Sequence, residues 1–189
     1  KSYLALAAGR PFLCFCVDVQ HTRDMCAAFN QAGIAAKSIV GSTIKEDRQL
    51  SEQHYRSGRI PGLINCMVLT EGFDAPRTSC IIMARPTKSS LLYTQMLGRG
   101  TRIAPGKEDL LVIDLADTDA AGVSTVNTLF GLPPRLNLGD SDVLSVQQAF
   151  EQISMIDILP IGSLDGVATI EQVQEIARTF DPLRVASMP

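Results

Sequence analysis

QMLGRGTR, residues 95–102, carries two arginines, Arg99 and Arg102, three positions apart. The run leading into it, SLLYTQML from Ser90, has the make-up of a helix that its glycines end. On a helix, residues three apart share one face. Two guanidiniums on one face can grip a planar, multiply charged anion such as a phosphate chain. Upstream stands a second polar cluster, LTEGFDAP (Leu69–Pro76), and the apolar run SCIIMA (Ser79–Ala84) between the two reads as a buried strand.

Working outward, strand and helix patterns alternate. Lys1–Gly9 looks like the end of a helix closed by Gly9, and PFLCFCVDV (Pro11–Val19) like a strand buried on both faces. Thr22–Gly33 has Met25, Cys26, Phe29 and Ala32 at helical spacing, with Gly33 as its stop. IAAKSIV (Ile34–Val40) is a second strand and Gly41–Thr43 a turn. Thr43-Ile-Lys-Glu46 has capping-box form and opens a helix that ends near Gly58. GLINCMVL (Gly62–Leu69), SCIIMA and LLVIDL (Leu110–Leu115) are further strands, with a long helix starting at Ser89. This spacing predicts an α/β fold, a parallel sheet with helices on both faces. Ligands of such sheets gather at the carboxyl ends of the strands. Four candidate loops are expected there: Asp18–His21, Gly41–Thr43, Thr70–Pro76 and Arg85–Lys88.

Beyond Leu115 the character changes, and a boundary near residue 118 divides a domain, 1–117, from a mostly helical acidic extension, 118–189. Val143–Ser154 is expected as a helix with Val146, Ala149, Phe150 and Ile153 on one face. Thr169-Ile-Glu-Gln172 is a capping box opening another helix through about Phe180. The net charge of −3 hides an asymmetry: residues 1–116 carry 14 basic and 10 acidic side chains, residues 117–189 carry 3 and 10. Arg85–Lys107 holds five basic residues and no acidic one. The front portion is therefore the part suited to a polyanion, although such excesses also occur on solvated faces.

No apolar stretch approaches the roughly 20 residues of a membrane span. The first ten residues lack a cleavage-like pattern, and the absence of an initial methionine reads as an excised fragment. Five cysteines, Cys14, Cys16, Cys26, Cys66 and Cys80, fall mostly in apolar runs. They read as buried thiols of a reducing cytoplasm, since Cys14 and Cys16 are too close for the usual metal-pair spacing and the two histidines complete no ligand set. No metal site is expected.

Within LTEGFDAP, Gly72 permits close backbone approach to a ligand and Asp74 can accept hydrogen bonds from a ribose or from an arginine. Thr70 offers a hydroxyl and an N–H to a phosphate oxygen. The same residues also make an ordinary strand-to-loop turn. Gly41, Ser42 and Thr43 precede a helix, so their N–H groups can face a phosphate; plain helix capping is the other reading, and the two can coexist.

Taken together, these segments resemble the second RecA-like motor domain of superfamily 2 helicases, over about Gly9–Leu115. Gln95, Gly98, Arg99 and Arg102 match all four defined positions of that superfamily's sixth motif, Q-x-x-G-R-x-x-R. LTEGFDAP resembles the fifth motif, FLCFCVDVQHT (Phe12–Thr22) the fourth, and VGSTIKEDR (Val40–Arg48) the nucleic-acid-contacting element that comes after the fourth. QMLGRGTRIAPGKEDLLVIDLAD is similar to the branch of type III restriction subunits, RadD-like proteins and XPB-like translocases. It fits DEAD-box RNA helicases less well, because their sixth motif opens with a histidine where Tyr93–Gln95 stands.

The resemblance implies ATP, with Mg2+, held between this domain and a first RecA-like domain. It implies Arg102 as the arginine finger, Arg99 assisting, and Gln95 positioning the arginines or the attacking water. Gly72, Asp74 and Gly98 would lie near the nucleotide. Gly41, Ser42, Thr43, Thr70 and Arg48 would contact the nucleic-acid backbone without reading sequence. The bland reading of the arginines is solvation, or salt bridging with Asp74 or Glu71. No G-x-x-x-x-G-K-[ST] loop and no D-E-x-[HD] stretch occurs in the sequence. The expectation is half an active site, with the partner domain N-terminal to Lys1 and DNA as the substrate. The alternatives are an RNA helicase domain, a restriction subunit, or a non-enzymatic interaction module.

Overall fold

The computed structural model describes residues 1–69, 72–115, 122–134, 136–138 and 141–154, with side chains to 151. The chain divides into two units, Lys1–Asp117 and Thr118–Pro189. The first unit runs α1 (Ser2–Leu6), β1 (Phe12–Cys16), α2 (Val19–Gln31), β2 (Ala36–Ile39), α3 (Lys45–Arg56), β3 (Gly62–Asn65), β4 (Cys80–Ala84), α4 (Ser90–Leu97) and β5 (Leu111–Asp114).

Its five strands form one sheet in the order β2-β3-β1-β4-β5, and every pairing is parallel. The expected α/β class is therefore the observed one. Strands are four or five residues long, shorter than the apolar runs that announced them. The central β1 is buried at every position, as a strand covered on both faces must be. Phe12, Cys14 and Cys16 share one face with Cys80, Ile82, Ala84 and Ile113, and α1 and α2 cover it through Tyr3, Met25 and Phe29. Leu13, Phe15, Leu63, Ile81 and Met83 alternate to the other face, where Tyr55 of α3 and Tyr93 and Met96 of α4 are equally buried.

Asp18 caps α2, its carboxylate accepting the His21 N–H at 2.7 Å, so that helix starts three residues earlier than its apolar periodicity suggests. The capping box expected at Thr43 does not form. Its hydroxyl instead accepts the Val40 N–H at 2.9 Å, and its own N–H donates to Val40 O at 2.9 Å. This closed turn moves the N-cap to Ile44, which has no capping side chain, and leaves Glu46 and Asp47 in the first turn as the favourable charges. The helix after Ser89 spans eight residues, with the Ser89 hydroxyl accepting the Leu92 N–H.

The reading of the cysteines as buried thiols holds for three of the five; Cys26 and Cys66 are only partly buried. Cys14, Cys16 and Cys80 are buried, no cysteine is in a disulfide, and burial pushes the Cys80 thiol up to about 12. Among the described residues no helix is long and apolar enough to cross a membrane.

In the second unit, α5 (Val126–Leu129) and α6 (Val143–Ser154) are described. The second is the helix its periodicity predicted, with Val146 and Phe150 in a cluster with Leu132 and Leu136. The helix expected at Thr169–Phe180 lies outside the described residues.

Candidate active site and nucleic-acid edge

All strands point one way, so the turns after β1, β2, β3 and β4 open at one edge of the sheet. Gly41–Thr43 and Arg85–Lys88 lie there, as expected. The segment after β3 does not stay there. β3 and β4 are parallel with no helix among the described residues between them, so the connection must cross the full height of the sheet to begin β4 at the opposite edge. Asp74–Pro76 therefore lie well along that crossing, on the face of α3 and α4, and Thr78 already leads into β4 with its N–H on Ala75 O. Thr70 and its neighbour 71 lie outside the described residues.

The arginine pair is found on this same face, but not for the reason the spacing suggested. α4 ends at Leu97, so Arg99 and Arg102 sit on the turns beyond it and do not share a helical face. What unites them is a common target. Arg99 Nη1 donates to Phe73 O at 2.8 Å, and Arg102 Nη1 donates to Asp74 Oδ2 at 2.8 Å. The salt bridge entertained as the bland reading of Arg102 is thus present. It is an exposed pair, with Arg102 58% and Asp74 49% accessible, a class worth about 0–1 kcal/mol.

Gly100, between the arginines, is a packing necessity that the motif reading passed over. A Cβ there would lie 2.4 Å from Leu110 Cδ1 and 3.0 Å from Ile81 Cγ1. The turn is thereby pressed onto the start of β4 and the approach to β5. Lys107 completes it, its ammonium donating to the carbonyls of Gly100 and of Arg102, the latter at 2.7 Å. Burial lowers the Lys107 pKa. Gly98 has right-handed backbone, φ −56°, whereas Gly72 has φ +69° with open space where a Cβ would point. Gln95 is half-buried on α4.

Arg48 is less available than its sequence position suggests. Its Nε donates to Glu52 at 3.0 Å and its Nη2 to Val68 O at 3.3 Å. Gly41 and Ser42 are exposed, while the Thr43 N–H is spent on Val40 O. Among the described residues no group of three His, Cys, Asp or Glu side chains could hold a metal ion.

Residues 2–104 match the family described as the helicase conserved C-terminal domain. The chain belongs to that family. That domain is the one the motif resemblance pointed to, and the parallel sheet is the fold it implied. The chain is 43% identical over 136 residues to irc3 of Schizosaccharomyces pombe, named as a mitochondrial ATP-dependent helicase. That alignment covers 71% of this chain and 22% of irc3. IRC3 of Saccharomyces cerevisiae, also named as an ATP-dependent helicase, is 35% identical over 64% of this chain and 17% of its own length. The chain thus spans about a fifth of the length of these relatives.

Among solved structures, the E. coli DEAD-box protein SrmB shares the fold, with TM-score 0.55 and 18% identity over 69% of this chain and 71% of that one. So does an HsdR subunit fragment of a Vibrio vulnificus type I restriction enzyme, with TM-score 0.53 and 23% identity over 64% and 28%. Both likenesses concern the fold alone.

Proposed function

We propose that the full-length protein is an ATP-dependent helicase or translocase acting on DNA, and that this domain supplies Arg102 and Arg99 to an ATP site completed by a first RecA-like domain. The observation that carries the reading is the pairing of Arg102 with Asp74. A finger must leave its resting partner at small cost, and an exposed ion pair of about 0–1 kcal/mol allows that. The triphosphate, with its Mg2+, brings the charge that Arg102 would meet in place of Asp74, and both would be held mainly by the first domain. Arg99, anchored on Phe73 O, would keep the turn in register, and Gln95 on α4 would orient the arginines or a water. Gly72 and Gly98 line the approach to the nucleotide.

Nucleic acid would run along the carboxyl edge past Gly41, Ser42 and Thr43, and Thr70 and Arg48 are proposed as further backbone contacts. DNA is favoured by the likeness to restriction-enzyme subunits, including the 28% identity over 130 residues to the EcoKI endonuclease subunit. A reducing compartment suits the free thiols; the cytoplasm is our placement, and the name of the S. pombe relative makes the mitochondrial interior the competing one.

The test is ATP hydrolysis by the full-length protein with single-stranded DNA, duplex DNA and single-stranded RNA of matched length. Stimulation of tenfold or more by a DNA, and at most threefold by RNA, is expected. Stimulation by RNA alone would make this an RNA helicase, and no nucleotide hydrolysis under any condition would leave an interaction module.

A further inference from the structure

The backbone beyond β3 is gripped from two sides. From the α4 side, Arg99 holds Phe73 O and Arg102 holds the Asp74 carboxylate. From the α3 side, Arg48 donates to Val68 O at 3.3 Å, and Arg56 Nε donates to Asp74 O at 2.8 Å. The Arg56 guanidinium also lies over the Phe73 ring, 5.2 Å from its centroid. Phe73 itself is buried and packs on Tyr55.

The two α3 arginines share one counter-charge. Glu52 accepts Arg48 Nε at Oε1, 3.0 Å, and Arg56 Nη2 at Oε2, 3.1 Å. Arg48, Glu52 and Arg56 are four residues apart in turn, which stacks them along one side of α3. The Glu52 side chain is only 14% accessible, whereas those of its partners are 38% and 46% accessible. A largely buried carboxylate with one oxygen on each guanidinium fixes the orientation of both, and charge-assisted bonds of this kind are the strong ones. Without it, two like charges would face each other across two helical turns and would swing away from the carbonyls they now hold.

We propose that Glu52 is a positioning residue for the finger: it locks Arg48 and Arg56 into a two-armed clamp on Val68 and Asp74, and so sets where Asp74 presents Arg102. The same helix begins at the Gly41–Thr43 turn, so the clamp ties the nucleic-acid edge to the ATP-facing turn through one rigid element. This inference rests on the reading of Arg102 as a finger and adds a residue outside every motif quoted for the family.

The experiment compares Glu52→Gln, Arg56→Gln and Arg102→Ala in the full-length protein. Read out are kcat and KM for ATP with saturating DNA, the Kd for a fluorescent single-stranded DNA, and the thermal midpoint. A misplaced catalytic group costs turnover before binding. Glu52→Gln is expected to lower kcat ~10-fold or more while KM stays within about threefold and the midpoint within a few degrees. Arg56→Gln should reproduce that pattern, and the double variant Glu52→Gln/Arg56→Gln should be no worse than either single one, because both break one clamp. A kcat within threefold of the parent in either single variant overturns the proposal, as does a parallel loss of kcat, affinity and thermal midpoint in both. If Arg102→Ala is inactive while Glu52→Gln turns over normally, only the role of Glu52 fails; if Arg102→Ala remains active, the finger reading fails with it.

Discussion

Arg102→Ala in the full-length protein lowers the kcat of DNA-stimulated ATP hydrolysis by ~10³-fold or more, with KM for ATP changed only a few-fold. A loss of that size is about 4 kcal/mol of transition-state stabilisation. It far exceeds anything the side chain contributes to the folded state, where its one observed partner is an exposed carboxylate. Removing an exposed arginine from a pair of this class should alter stability by about 0.5 kcal/mol or less. A large kinetic effect without a stability effect is the signature of a group that acts when the two domains close. A kcat within tenfold of the parent would mean that Arg102 belongs to Asp74 and to nothing else.

Phe12→Ala destabilises the chain by about 3–5 kcal/mol, read as a lowered denaturant midpoint at unchanged m-value. The ring is fully buried and stands between Tyr3 and Phe29, each at a centroid distance of 4.6 Å. Tyr3 and Phe29 also meet edge to face at 5.5 Å, which closes a three-ring cluster joining α1, β1 and α2. Across the ladder, Phe12 pairs with Gly62, where a Cβ would lie 2.3 Å from the ring. The ring therefore fills space that its neighbour leaves empty, and paired strands on either side of β1 cannot move in to fill the hole. A change below about 1 kcal/mol would show that α1 and α2 reseat on the sheet without that ring.

The sheet was readable because its three central strands are buried on both faces, and continuous apolar runs such as PFLCFC can do little else. α6 was readable because Val146 and Phe150 repeat at helical spacing against a local apolar cluster. The sixth motif was readable because Gln95, Gly98, Arg99 and Arg102 stand at all four of its defined positions. Features that depend on which of two hydrogen bonds forms were not readable. Thr43 had the pattern of a cap, yet its hydroxyl and N–H both close a turn on Val40, a choice that no local spacing reveals.

The arginines came together for a reason the sequence pattern did not contain. A helical face was expected, but α4 stops short, and Gly100 lets the chain press against Leu110 and Ile81 so that both guanidiniums reach Phe73 and Asp74. Arg56 and Lys107 went unnoticed because the carbonyls they hold are brought to them by the folded chain, and Glu52 because its role depends on what Arg48 and Arg56 hold. The i, i+4 spacing of Arg48, Glu52 and Arg56 was the one local signal for the clamp, and it reads equally well as ordinary helix-surface pairing.

The decisive measurement is steady-state ATP hydrolysis by purified protein of residues 1–189, with Mg2+ and saturating DNA. An arginine finger without the phosphate-binding half of the site should give turnover indistinguishable from the buffer blank, under conditions where the full-length protein is active. Sustained turnover by residues 1–189 that Arg102→Ala abolishes would contradict a site shared with another domain.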